Sequence, residues 1–491
     1  MSDREREARR ERLAALRRAG VDPYPARVPA REPLAAIRER YETVPEEVLE
    51  ADAPVVALAG RVLALRSFGK LLFATLLEDG CRMQISARKS EIPAELFDAM
   101  KRLDVGDFVR VEGVVWRTKK GELTVDARDL TLLAKGLAPL PEKWHGLSDV
   151  EIRFRQRHLD LLVNEDARRI AVTRSRIVTA MRKALDLRGF LEVETPILQP
   201  LYGGAAARPF STHHNTYDQD LFLRISDELY LKRLVVAGLD RVYEIGRVFR
   251  NEGVSRKHNP EFTMMECYQA YADYTDMMAL AQSLVQEIAA EVLDTQQISV
   301  RGQAVDLSGN WPRITLRDAL QERTGVDVLA CPDLQSLADT VRTQGLEPGD
   351  APTWARLVDD LFSEHVEPHL IQPTFITHYP LELSPLAKRS PDDARLVERF
   401  EAFIAGMELA NAFSELNDPD DQRQRMEATR RDAAAGDDEA QPLDEDYLQA
   451  LEIGLPPTGG LGIGVDRLVM VLTDAPSLRE VITFPHMKPR D

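Results

Sequence analysis

The chain has 491 residues, is 44% hydrophobic and 29% charged, and carries a formal net charge of −18. That length holds two or three domains, and that charge excludes a uniformly basic nucleic-acid binder. Its three well-separated cysteines, Cys81, Cys267 and Cys331, exclude a disulfide scaffold and a zinc–cysteine site and suit a reducing cytosol. No apolar run approaches the roughly 20 residues that span a bilayer, and the charged N-terminus does not read as a signal peptide. A cytoplasmic protein without a membrane partner is expected.

Positive charge gathers at the start. Residues 1–40 hold eleven Arg against seven acids, so a helix over 3–19, ended by Gly20 and Pro23, either attracts phosphates or stays a solvated face. A second helix is expected from Pro33 to Tyr41. Between Val55 and Leu133 five stretches read as strands, beginning VVALAGRV, LLFATLLE, CRMQISAR, DFVRVEGVV and ELTVDARD, with a helical insert from Ile92 to Leu103. With turns at Glu78-Asp79-Gly80 and Lys119-Lys120-Gly121 they predict a small barrel of OB type. Such barrels bind oligonucleotides on one face through aromatic and basic groups. Arg66, Phe73, Gln84 and Glu112 are the candidates there, although Phe73 reads equally well as core. Pro139 and Pro141 mark a linker. The expected organisation is helices and barrel over 1–138, a linker over 139–150 and a second domain over 151–491.

The second domain opens with Arg153 to Leu162, then a long helix from Ala167 to Leu187 stopped by Gly189. Phe190 to Pro196 reads as a strand ended by proline. Gly203-Gly204 precede His213-His214, a pair with no third ligand at metal-binding spacing. Glu228 sits in the first turn of a helix, where the dipole alone explains an acid. The densest stretch is Gly246 to Tyr268, GRVFRNEGVSRKHNPEFTMMECY, two strands joined by a polar loop. On its second strand the period of two puts Phe262, Met264, Glu266 and Tyr268 on one face. A carboxylate there is costly unless something positive meets it, either a structural arginine or the cationic group of a ligand. Arg250, Arg256, Lys257 and His258 gather on the loop side. A ligand with phosphates, a flat ring and a cationic group satisfies both ends.

From Tyr271 to Pro380 the chain reads as mostly helical. Glu408 and Glu415 then lie seven apart, on one face of a helix but on opposite faces of a regular strand. Asp418 to Asp446 reads as an exposed helix and loop. Gly454 to Leu472 is glycine-rich, but it lacks the Lys-Ser/Thr of a P-loop and its spacing fails the dinucleotide fingerprint. A helix begins near Val465 with Arg467 in its first turn.

FRNEG followed by HNPEFTMME resembles the second signature motif of the class II aminoacyl-tRNA synthetases, in the form carried by lysyl-tRNA synthetases. The helix and strand ending at Pro196 are similar to the first motif, which builds the dimer interface, and the stretch around Arg467 is similar to the third. The class I signatures HIGH and KMSKS are absent. Pro380 to Lys388 resembles a stretch on the floor of lysyl synthetase sites, and the barrel resembles the anticodon-binding domain of the lysyl, aspartyl and asparaginyl enzymes. The resemblance runs from about Arg12 to Pro485. It implies an α+β fold class: an OB-type barrel followed by an antiparallel sheet flanked by helices. It implies activation of L-lysine by ATP as substrate, transfer to tRNA(Lys), magnesium as cofactor and a homodimer.

By the same resemblance Arg250 and Arg467 are catalytic. They share the binding of ATP with Glu252, His258, Asn259, Phe262 and Glu408. Lysine falls to Gly204, Glu228, Arg250, Glu266, Tyr268, Asn411, Phe413 and Glu415, with Glu228 at its α-amino group and Tyr268 and Glu415 at its ε-ammonium. Glu408 and Glu415 hold magnesium, which on strands requires a bulge to turn both acids inward. Arg66, Phe73, Gln84 and Glu112 meet the anticodon, Phe73 by stacking and Gln84 by hydrogen bonds. Ala410 and Ala412 flank Asn411 where some relatives have glycine, and their methyl groups are expected to narrow the pocket.

Overall fold

Apolar side chains alternate along five stretches of the N-terminal unit, Met1–Gly146, and there the chain runs as strands. The computed structural model describes residues 3–141, 147, 149–434 and 442–489, the side chains of 430–434 excepted. Residues 142–146 and 148 of the expected linker, and 435–441 of the expected loop, lie outside the described residues. The unit contains α1 (Asp3–Arg18), α2 (Leu34–Tyr41), α3 (Glu46–Asp52), β1 (Val55–Phe68), β2 (Leu71–Glu78), β3 (Cys81–Arg88), α4 (Ala94–Lys101), β4 (Phe108–Arg117) and β5 (Leu123–Ala134). The strands close into a barrel in the order β1-β2-β3-β5-β4. Leu58, Leu76, Ile85, Val111 and Val125 fill it with no exposed surface. The short α3 escaped the sequence reading because it buries only Leu49, too little for a period to show. The basic helix α1 is more than a solvated face: Arg9 donates to the Val105 carbonyl at 2.9 Å and Arg12 binds both oxygens of Asp104.

The second unit, Leu147–Asp491, is larger. Its strands are β6 (Leu191–Glu192), β7 (Leu198–Gln199), β8 (Ser211–His214), β9 (Gln219–Leu223), β10 (Arg241–Phe249), β11 (Glu261–Ala270), β12 (Gln297–Val300), β13 (Gln303–Asp306), β14 (Arg313–Thr315), β15 (Thr374–Thr377), β16 (Arg399–Ile404), β17 (Met407–Ser414) and β18 (Thr458–Gly464). Eight form one sheet, β14-β15-β16-β17-β18-β11-β10-β6. Its two outer pairings are parallel and the five inner ones antiparallel. The helices are α5 (Val150–Arg155), α6 (Arg157–Val163), α7 (Glu165–Leu187), α8 (Glu228–Val236), α9 (Tyr274–Leu293), α10 (Leu316–Thr324), α11 (Leu334–Thr343), α12 (Trp354–His365), α13 (Pro419–Ala434), α14 (Glu445–Ile453), α15 (Val465–Thr473) and α16 (Leu478–Val481).

One face of the sheet is covered by α7, α9 and α15, whose Met181, Leu284 and Val469 pack with Met265, Cys267 and Ile463 of the strands. On the other face α8 and α14 pack against Val242, Tyr268 and Ala270, and α10 and α12 against Ile376 and Phe403, leaving polar residues between these two apolar clusters. The segment from Tyr271 to Pro380 is less helical than its composition predicts, since β12 to β15 lie within it. Strands of three or four residues are too short to show alternation, and β15 is buried along its whole length, which reads as an apolar run. Among the described residues no helix is long and apolar enough to cross a membrane.

Candidate active site

Register turns three strands into a floor. Directly opposed residues of an antiparallel pair share a face. Asn411, Gly462 and Glu266 therefore form one row across β17, β18 and β11, and Phe413, Gly460 and Tyr268 form the next. Phe262, Met264, Glu266 and Tyr268 all line a cleft of about 560 Å³ above this floor. The glycines of β18 leave room where side chains would stand: a Cβ at Gly460 would meet Glu415 Oε1 at 2.0 Å and the Tyr268 ring at 2.6 Å. Ala410 and Ala412 point the opposite way into the helix-covered core, so their methyl groups do not narrow the cleft.

The inner end of the cleft is acidic. Glu266 is 3% exposed; it accepts from Ser226 Oγ at 2.9 Å, from the Asp227 N–H at 3.3 Å and from the Tyr268 hydroxyl at 3.3 Å. Burial, then the charge of Glu228, push its carboxyl up to about 7. Glu228 opens α8, its N–H donating to Ser226 Oγ at 3.1 Å. Gly204 lies against both: a Cβ there would come within 3.0 Å of Glu228 Cβ and 2.8 Å of Ser226 Oγ, and its φ of +86° suits glycine. Glu415, just past β17, has a fully buried side chain. Its Oε2 pairs with the Lys232 ammonium.

The outer end is cationic. The Arg250 guanidinium lies over the Phe262 ring at 5.1 Å, and the one hydrogen bond of its side chain among the described residues is a long one, Nε to the Ile225 carbonyl at 3.4 Å. Arg467 donates to the Glu408 carbonyl and to Glu408 Oε2, both at 3.0 Å. His258 pairs Nδ1 with Ser255 Oγ at 2.9 Å. Burial, then Arg467 and Lys257, lower its pKa, which favours the neutral ring. Asn259 is anchored to the Glu261 carbonyl at 2.6 Å and leaves its own buried Oδ1 without a partner among the described residues. Glu252 lines the same end.

Glu408 and Glu415, the two acids expected to hold magnesium, both line the cleft. A bulge does occur: Ala402 pairs with Ala410 and Phe403 with Glu408, so Leu409 is the extra residue, and Glu408 joins Asn411 on the cleft side. Seven residues of extended chain nevertheless separate the two Cα atoms by roughly 20 Å, far beyond what two glutamates can bridge at metal–oxygen distances of about 2.1 Å. The acid beside Glu408 is Glu401 on β16, opposite Asn411. Burial, then the Glu408 charge, push Glu401 up to about 7, against the pull of Arg399. A buried acid whose pKa a neighbouring carboxylate raises suits a hard cation held between the two. Among the described residues no three His, Cys, Asp or Glu side chains could hold a metal by themselves.

The family model for tRNA synthetases class II (D, K and N) matches residues 149–488. A second, for the OB-fold nucleic acid binding domain, matches residues 56–133. The chain is 52% identical over 483 residues to a lysine–tRNA ligase of Moorella thermoacetica, covering 98% of this chain and 97% of that one. It is 52% identical to a lysine–tRNA ligase of a Roseiflexus species with 99% of both covered. A Staphylococcus aureus lysine–tRNA ligase is 50% identical, with 98% of this chain and 97% of the relative covered. The chain belongs to the class II lysyl-tRNA synthetases.

In this synthetase sequence reasoning missed Arg399 and Glu401. Arg399 donates to Asn411 Oδ1 at 3.0 Å, to Glu401 at 2.6 Å, and to Leu383 O and Ser384 Oγ at 2.6 and 2.8 Å. It thereby ties the Pro380 to Lys388 stretch to the floor. The alternation of RFEAFI, polar at 399 and 401 against apolar neighbours, was the available signal. On the synthetase's barrel, Arg66 lies opposite Phe73, and Gln84, opposite Thr75, donates to Thr124 Oγ1 at 3.0 Å. Phe68, 65% exposed, meets the Phe73 ring edge-on at 6.4 Å and was not foreseen as part of this face. Glu112 lies apart, opposite Ala57 near the other end of β1, and accepts from Arg110 at 2.8 Å.

Proposed function

We propose that this synthetase activates L-lysine with ATP and passes the lysyl group to the 3′-terminal ribose of tRNA(Lys). The observation that carries this reading is the division of one cleft. Glu228, Glu266 and Glu415 crowd its inner end, and Arg250, Lys257 and Arg467 surround its outer end. An amino acid with a cationic side chain satisfies the first set and a triphosphate the second. An aspartate or asparagine side chain would bring no cation to this acidic end.

In this scheme Glu228 receives the α-ammonium, and Glu266, Tyr268 and Glu415 the ε-ammonium. The Arg250 fork bridges the lysine carboxylate and the α-phosphate, bringing nucleophile and phosphorus together and countering the charge that develops. Phe262 and Arg467 hold the adenine between them, Glu252 accepts from its amino group, and His258 and Asn259 meet the outer phosphates. Glu401 and Glu408 are the residues that would hold magnesium, whose positive charge would favour the departure of pyrophosphate. Lysyl-adenylate stays bound until the tRNA hydroxyl takes the acyl group.

The barrel face around Arg66, Phe73 and Gln84 takes the unstacked anticodon bases. The apolar residues left exposed at the edge strand β6 and next to it, Leu187, Leu191, Ile197 and Leu198, fit a homodimer interface. Work in the cytoplasm completes the proposal. ATP–pyrophosphate exchange measured with each of the twenty amino acids tests it. Lysine alone is expected to drive exchange, and stimulation by aspartate or asparagine in its place would refute it.

Two further results are expected. The Glu266 carboxyl, raised to about 7, must be ionised to meet an ammonium, so the KM for lysine should rise as pH falls from 8 to 6 while the KM for ATP stays level. The folded empty protein holds on this acid a proton that the unfolded chain has released above about 4.5. Its contribution to stability is therefore lost as pH rises through 7, and thermal protection by added lysine should be larger at pH 8 than at pH 6. Gly460→Ala is expected to raise the lysine KM about tenfold or more, since Glu415 or Tyr268 must give way and overpacking costs about 1–3 kcal/mol. An unchanged KM would show that neither side chain touches the amino acid.

A further inference from the structure

Lys232 is a cation that the scheme above leaves unused. It lies on α8 with its side chain wholly buried. Its Nζ donates to Glu228 Oε1 at 2.6 Å, one turn earlier on the same helix, and pairs with Glu415 Oε2 beyond β17. The rings of Phe413 and of Tyr447 on α14 lie 5.5 and 5.8 Å from it. Glu266 and Tyr268 on β11 and Arg399 on β16 are the other charged or titratable groups facing this cluster. Burial works against the Lys232 charge, but Glu228 and Glu415 outweigh it and hold its pKa well above the ordinary value.

A buried ammonium persists only with compensating carboxylates. Here those carboxylates are the two acids assigned to opposite ends of the substrate. When all three are ionised, as binding of a dication requires, Glu228, Glu266 and Glu415 bring three negative charges, whereas lysine presents two ammonium groups. Without Lys232 one buried carboxylate would stay unpaired in the complex; with it, two negative charges remain for two positive ones.

We propose that Lys232 is the specificity-determining positioning residue of the amino-acid pocket, cancelling one of its three carboxylate charges and holding Glu228 and Glu415 apart for the two ammonium groups of the substrate. The inference rests on the lysine-activation reading. It explains how a site this acidic takes a substrate with two ammonium groups and still leaves no acid unpaired.

K232M and K232Q shorten the side chain by one atom and remove its charge, and K232R keeps the charge. Each is assayed in the full-length chain by ATP–pyrophosphate exchange, with thermal unfolding as the check on folding. K232M and K232Q are expected to raise the KM for lysine at least a hundredfold and to leave the KM for ATP within threefold. K232R is expected to stay within tenfold of the wild type for lysine. A neutral variant with a lysine KM within threefold of the wild type overturns the proposal. So does a parallel rise of both KM values, which a merely structural lysine would produce. If neither neutral variant folds, a folded K232R whose lysine KM has risen more than a hundredfold overturns it as well. A wild-type protein without lysine-dependent exchange would sink the functional reading and leave the charge arrangement standing.

Discussion

Arg250→Ala is expected to slow lysine-dependent ATP–pyrophosphate exchange by about a hundred- to a thousandfold, the usual loss of about 2.7–4 kcal/mol when one preorganised donor is removed from a developing anion. The loss should appear in kcat more than in either KM, because the arginine is assigned to charge that forms during the reaction. The structure makes the assignment specific. The guanidinium lies over the Phe262 ring, 5.1 Å from its centroid, and among the described residues is bonded to protein only by one long contact to Ile225, so most of its donors are left for a ligand. Burial works against its charge, a cost that a bound phosphate or carboxylate relieves. Arg250→Lys should recover only part of the rate, since an ammonium cannot bridge two oxyanions with a planar fork. Exchange within tenfold of the wild type in Arg250→Ala would remove Arg250 from the reacting centre.

Glu266→Gln should act on the other half of the cleft. The amide keeps the shape of the carboxylate and the company of Ser226, Asp227 and Tyr268 but not its charge. Truncating one partner of a buried charge pair costs about 2–5 kcal/mol, so the lysine KM should rise from about thirtyfold to several thousandfold with the ATP KM little changed. The pH dependence of the lysine KM near 7 should vanish in the same variant, because the group that titrates there is gone. A wild-type lysine KM in Glu266→Gln would show that the substrate's far end lies elsewhere.

Much of this site could be read from local sequence. The shared face of Phe262, Met264, Glu266 and Tyr268 follows from the two-residue repeat of an extended chain, whatever that chain packs against. The barrel strands follow from alternation between Val55 and Leu133, and the glycines of β18 announce a surface without side chains. Other features depended on partners far away in sequence. The partnership of Glu415 with Lys232 was hidden because the two lie 183 residues apart, and Glu401 was overlooked because only the pairing of β16 with β17 sets it beside Glu408. One extra residue at Leu409 decides which side Glu408 faces, and no local pattern of residue types marks it.

The amino-acid order alone determined which residues share a face on each strand, where charge of each sign gathers along the chain, and which known family the motifs resemble. Those are consequences of backbone stereochemistry and side-chain chemistry within a few residues. Tertiary structure decided which acids meet which cations: Lys232 between Glu228 and Glu415, Arg399 with Glu401, Arg467 with Glu408. Strand register and helix packing choose those neighbours, and both are settled by burying apolar surface on the opposite face of the sheet.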